Sequence, residues 1–126
     1  MAEFSIIDEF CHGIGPNHSE TGLTVGDDAA IISIPQGMEL AVSVDTMIAG
    51  VHFYQNAAPA SIAHKLFAVN LSDMAAMGAT PKWATLTLSI PSFDHAWLQS
   101  FTDSLKSVAE KNGVQVIGGD TTQGPL

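Results

Sequence analysis

The chain has 126 residues, 46% hydrophobic and 13% charged, enough for one globular domain with a sizeable core and too apolar for a disordered tail. Its net charge is −9, and its four cationic side chains (Lys65, Lys82, Lys106, Lys111) include no arginine, which argues against the basic face a nucleic-acid surface requires. The single Cys11 excludes an internal disulfide, acids stand where a signal peptide would be basic, and no apolar stretch approaches membrane-spanning length, so a cytoplasmic setting with no membrane partner is expected.

In chain order, residues 3–12 predict a short helix, with Phe4, Ile7 and Phe10/Cys11 at helical spacing. Residues 13–24, "GIGPNHSETGLT", read as a loop. "AAIISI" (29–34) predicts a strand, "PQG" (35–37) a turn and "ELAVSVDT" (39–46) a second strand, so 29–46 reads as a hairpin. "GVHF" (50–53) suits a further short strand. Pro59 opens a helix running to Met77, and Gly78 stops it. "KWATLTLSI" (82–90) alternates cleanly, with Ala84, Leu86, Leu88 and Ile90 on one face. Pro91 and Ser92 break it. Residues 94–112 predict a helix with the stripe Leu98, Phe101, Leu105 and Val108, closed by Asn112-Gly113. "VQVIG" (114–118) is the last predicted strand.

The order α-β-β-(β)-α-β-α-β predicts an α+β fold: one mixed β-sheet with two long helices packed on one face. The other face, with Trp83 and its threonines, would meet solvent or a second copy of the chain. No architecture closes after "GGDTTQGPL", and a domain of a longer enzyme is expected.

The acids carry the chemistry. On the helix 59–77, Ile62, Leu66 and Val69 form a stripe that Asp73 continues, placing a carboxylate on its core-facing side. An unpaired carboxylate there is costly, and this chain is poor in cationic partners. The alternative is that the stripe leaves the core before residue 73. In "AVSVDT", Ser43 and Asp45 share a strand face and supply hard oxygens of the kind Mg²⁺ accepts. "GDD" (26–28) precedes a strand and "GGD" (118–120) follows one. Each fits an ordinary turn when taken singly. Together they set one of Asp27 and Asp28, with Ser43, Asp45 and Asp120, at strand ends and Asp73 on an inward helix face, among small or apolar neighbours and with no arginine to neutralise them. Divalent cations would offset their repulsion and bridge to phosphate oxygens, so the residues point to multi-metal phosphoryl transfer.

Other signatures are missing. The chain has no P-loop, no EF-hand loop and no zinc spacing between Cys11 and His12, His18, His52, His64 or His95. His52, in "DTMIAGVHF", is carried back toward Asp45. Met47, Met74 and Met77 suit core filling better than cofactor contact.

"VGDDAA", "SVDTMIAGVHF", "NLSDMAAMGATP" and "GGDTTQGP", in this order and spacing, resemble the N-terminal domain of the thiamine-monophosphate kinase family, within the aminoimidazole-ribonucleotide synthetase-like superfamily. The resemblance covers essentially the whole chain. It implies an N-terminal ATP- and Mg²⁺-binding domain (1–126), a homodimer whose sheets join across the two-fold axis, and transfer of the ATP γ-phosphate to thiamine phosphate. It further implies Asp28, Ser43, Asp45, Asp73 and Asp120 as Mg²⁺ ligands, Gly119 and Asp120 against the ATP phosphates, and His52 on thiamine phosphate. No catalytic side chain is implied, because the attacking phosphate oxygen is already anionic. Asp27 ranks below Asp28. Two departures stand out: Gln123 where relatives often carry Arg, and Val44 where they often carry Thr. The resemblance also implies that a missing C-terminal domain supplies further ligands, so this chain alone is expected to be nearly inactive. The rival readings are another ATP-using synthetase of the superfamily and a non-catalytic dimerisation or metal-binding module.

Overall fold

A computed structural model describes residues 6–126. The predicted helix 3–12 therefore falls partly outside the described residues. Within them, Ile7–Cys11 forms a π-helical turn with Phe10 buried.

Two long helices organise the rest. The first, α1 (Pro59–Ala76), starts on its proline and ends at Met77 and Gly78. The second, α2 (His95–Asn112), is capped by Asp94, whose carboxylate accepts the Trp97 N–H at 3.1 Å. It closes on Gly113 in the left-handed region. Both boundaries match the sequence expectation to within a residue, because caps are local chemistry. The helices pack on each other, and the Ser104 hydroxyl donates to the Ala60 carbonyl at 2.9 Å.

The strands form two small sheets. In the first, β1 (Thr21–Leu23) pairs antiparallel with β2 (Ile31–Ile32). In the second, β3 (Trp83–Ile90) pairs parallel with β4 (Gln115–Gln123), and α2 makes the crossover between them. Leu88 and Ile90 of β3 enter the core as the alternation predicts. They meet Phe101 and Leu105 of α2, Ile62 and Phe67 of α1, and Phe10 and Ile14 of the N-terminal segment.

Five expectations are corrected among the described residues. The single mixed sheet is two separate two-stranded sheets. The 29–46 hairpin is absent, since β2 finds its partner in β1, inside the stretch read as a loop. Residues 39–46 are exposed and outside any strand, with Val42 82% and Val44 88% exposed, because none of the described residues offers them an edge. Residues 50–53 form a turn with one isolated bridge, Ala49 to Phe53. The last strand runs five residues past its predicted end, to Gln123.

The N-terminal segment is held down by a polar knot. The buried Gln115 side chain accepts from the Thr21 hydroxyl at 2.8 Å and from the His18 N–H at 3.3 Å. Trp83 donates its indole N–H to the same Thr21 at 2.8 Å. Lys82 pairs with Glu20 at 2.6 Å, which pulls the Glu20 carboxyl below its usual range.

Candidate functional site

Asp28 stands in the bend before β2, and its own N–H donates to the Asp27 carboxylate at 2.9 Å. Asp27 is thus occupied in shaping the turn, while the Asp28 carboxylate is exposed. Ser43 and Asp45 lie in the exposed stretch between β2 and Ala49.

Asp73 is in the last turn of α1 and is exposed, not core-facing. The buried residues are Ile62, Ala63 and Phe67, so the apolar stripe is swung about a quarter turn from the Ile62–Leu66–Val69 line. Asp73 is left at the edge of the helix, which spares it the cost of burial. Met77 is also exposed, at 72%, and fills no core, whereas Met47 packs against the core.

Gly119 and Asp120 lie inside β4, opposite Leu86 and Thr87, and not in a turn after a strand. A register shift between Ala84 and Thr85 brings Gly119 hard against β3. Its φ is +146°, and a Cβ there would fall 1.7 Å from the Leu86 carbonyl oxygen. The glycine is therefore required by strand packing, whatever else it contacts. Asp120 beside it is exposed.

His52 sits in the turn after Ala49. Its Nδ1 accepts the Ile48 N–H at 2.9 Å, and its own N–H donates to the Ile48 carbonyl at 2.9 Å. The turn is further tied by the Lys65 ammonium, which donates to the His52 carbonyl. His52, Phe53, Tyr54, Gln55 and Lys65 line a shallow groove of about 640 Å³. Lys65 carried no functional expectation from the sequence. The available signal was scarcity: it is one of four cations and stands one helical turn or two into α1, facing the His52 segment.

Among the described residues, no three His, Cys, Asp or Glu side chains stand close enough to hold a metal ion together. The structure thus does not gather Asp28, Asp45, Asp73 and Asp120 into one cage. None of the four has an ion-pair partner among the described residues, whose salt bridges involve Asp8, Glu9 and Glu20. In kind, these exposed carboxylates and the Ser43 hydroxyl are hard oxygen donors that suit Mg²⁺. Among the described residues, no helix is long and apolar enough to cross a membrane.

Residues 26–126 match the family model "AIR synthase related protein, N-terminal domain". The chain belongs to this family. The matched span begins at the Gly26-Asp27-Asp28 bend and takes in the whole Asp28–Asp120 set. Within the AIR synthase related family, the chain is similar to thiamine-monophosphate kinases. It is 48% identical over 124 residues to the one from Escherichia coli (strain K12), with 98% of this chain and 38% of that protein covered. It is 40% identical over 126 residues to the one from Haemophilus influenzae, with 100% and 38% covered. The crystal structure of thiamine-monophosphate kinase from Stenotrophomonas maltophilia K279a superposes with a TM-score of 0.80 at 39% identity, covering 98% of this chain and 37% of that one. The chain thus spans 38% of the length of these two curated relatives.

Proposed function

We propose that this chain is the N-terminal, nucleotide- and metal-binding domain of a thiamine-monophosphate kinase, which transfers the γ-phosphate of ATP to thiamine phosphate and yields ADP and thiamine diphosphate. One observation carries the reading: proteins of that name match nearly the whole chain at 40–48% identity. The unpaired, exposed acids and the absence of arginine support it, because an acidic protein needs cations to approach a polyphosphate.

In this reading Asp28, Ser43, Asp45, Asp73 and Asp120 hold Mg²⁺, and Gly119 and Asp120 lie against the ATP phosphates. Bound Mg²⁺ supplies charge neutralisation between two mutually repelling phosphate groups. His52 contacts thiamine phosphate. The acceptor oxygen is anionic near neutral pH, so no side chain is needed as a base and none acts as a nucleophile. Transfer is direct and in line, and the chain's own task is alignment. The remaining length of the relatives supplies the rest of the substrate pocket, and the isolated chain turns over thiamine phosphate barely or not at all.

We further read the protein as a cytoplasmic homodimer. The exposed apolar stretch from Met38 to Val44 supports this, since a second copy offers a strand partner that the described residues do not.

Isothermal titration of Mg²⁺ with and without a non-hydrolysable ATP analogue tests the reading. The kinase domain binds each ligand more tightly in the presence of the other. Metal binding indifferent to nucleotide would establish a non-catalytic module instead. A panel of phosphorylated acceptors, offered to the domain joined to the remaining length of the enzyme, separates thiamine phosphate from the substrates of the related synthetases.

A further inference from the structure

We infer that Lys65 is a positioning residue for the phosphate-monoester substrate: it clamps the His52 turn so that the imidazole presents Nε2–H, and not a lone pair, to an anionic oxygen. The inference rests on the reading of His52 as a substrate contact and adds a residue that acts through it.

A main-chain N–H can only donate, so the Ile48 N–H held at 2.9 Å makes Nδ1 of His52 an acceptor. The neutral ring must then carry its proton on Nε2. That is the form in which a histidine donates outward to a phosphate oxygen. With the opposite tautomer, a lone pair would face the anion and repel it. The choice of tautomer therefore depends on the turn keeping Ile48 and the His52 ring together.

The ends of the turn are anchored, the buried Ala49 donating its N–H to the Leu126 carbonyl at 3.1 Å and Phe53 packing against the core, while the residues between them are exposed. His52 is exposed and lies outside both helices and all four strands. Its internal bonds are the His52 and Val51 N–H groups to the Ile48 carbonyl and the Gly50 N–H to the Phe53 carbonyl. One contact from a long helix fixes it: Lys65, rooted in α1, reaches the His52 carbonyl across thirteen residues of sequence. The ammonium has three donors and spends one on this carbonyl. Among the described residues, no carboxylate lies within salt-bridge distance of Lys65, so its charge is not cancelled where it faces the groove. Lys82, by contrast, is bound to Glu20.

Long-range ¹⁵N–¹H spectra of the histidine rings, taken on this domain joined to the remaining length of the enzyme, test this, with thiamine phosphate as the titrant. The wild type is expected to show His52 as a single Nε2–H tautomer, and thiamine phosphate is expected to shift that nitrogen. Lys65→Met should lose the single-tautomer signature and bind thiamine phosphate about tenfold more weakly, the scale of one charge-assisted hydrogen bond. Lys65→Arg should keep both. Lys65→Gln serves as a second neutral variant, and amide spectra outside residues 48–56 and the turns of α1 around residue 65 should not change in any of them. An unchanged ring signature or an unchanged affinity in the two neutral variants overturns the assignment alone. A wild type whose His52 nitrogens ignore thiamine phosphate removes the substrate contact, and the positioning role falls with it.

Discussion

Gly119 of β4 lies so close to Leu86 of β3 that a Cβ on the glycine would sit 1.7 Å from the leucine carbonyl oxygen. The two strands approach here because the register slips by one residue, leaving Ile117 without a partner between Val116 and Gly118. A glycine suggested by its motif to meet phosphate is thus already committed to the sheet.

Gly119→Ala should therefore lower stability before it affects any ligand. The added methyl clashes with main chain, which cannot swing aside, and φ of +146° is strained for any other residue. A loss of about 3 kcal/mol or more is expected by urea denaturation. An unfolding midpoint equal to that of the wild type would show that β3 and β4 separate freely at this point.

The Gln115 knot gives a second expectation. Gln115→Leu keeps the volume but strips acceptors from the Thr21 hydroxyl and the His18 N–H. The cost should be about 1–3 kcal/mol, because partners of a buried amide are left unsatisfied. Limited proteolysis should then cut within residues 13–24 faster than in the wild type, while α2 stays protected.

Glu20 predicts a pH dependence. The hydrogen bond from Lys82, and secondarily main-chain bonding, pull its carboxyl below the usual glutamate range. A depressed folded pKa stabilises above the unfolded value, and that contribution disappears as pH falls through the folded one. NMR titration should find Glu20 protonating below ordinary glutamates. In Lys82→Met it should return toward them, and the acid-side loss of stability should shrink.

Cys11 predicts the opposite slope. Burial pushes its thiol up, partly opposed by the Lys106 charge. Stability tied to this thiol is complete below the unfolded thiol pKa and is lost as pH rises toward the raised folded value. Alkylation by iodoacetamide at neutral pH should be slow in the folded chain and should accelerate on unfolding. Lys106→Met should slow it further.

Val44 separates folding from association. It is 88% exposed, so Val44→Asp should change the stability of a single copy by no more than about 0.5 kcal/mol. In the proposed dimer the same change buries a charge, and sedimentation should show the mass fall to that of one chain. A dimer that survives the substitution would place its contact elsewhere.

The sequence by itself determined the elements whose signals are local. Pro59 and Gly78 bounded α1, Asp94 and Gly113 bounded α2, and alternation marked the inner face of β3, since capping and side-chain periodicity act within a few residues. It also supplied the four motifs that place the chain in its family. Only the tertiary structure decided where strands find partners. Residues 39–46 alternate as well as β3 does, yet they form no strand, because a strand exists through an edge and that edge is not local. The same holds for Asp73, turned outward by the packing of Ala63 and Phe67, and for Lys65, whose meeting with the His52 carbonyl depends on a fold that no spacing encodes.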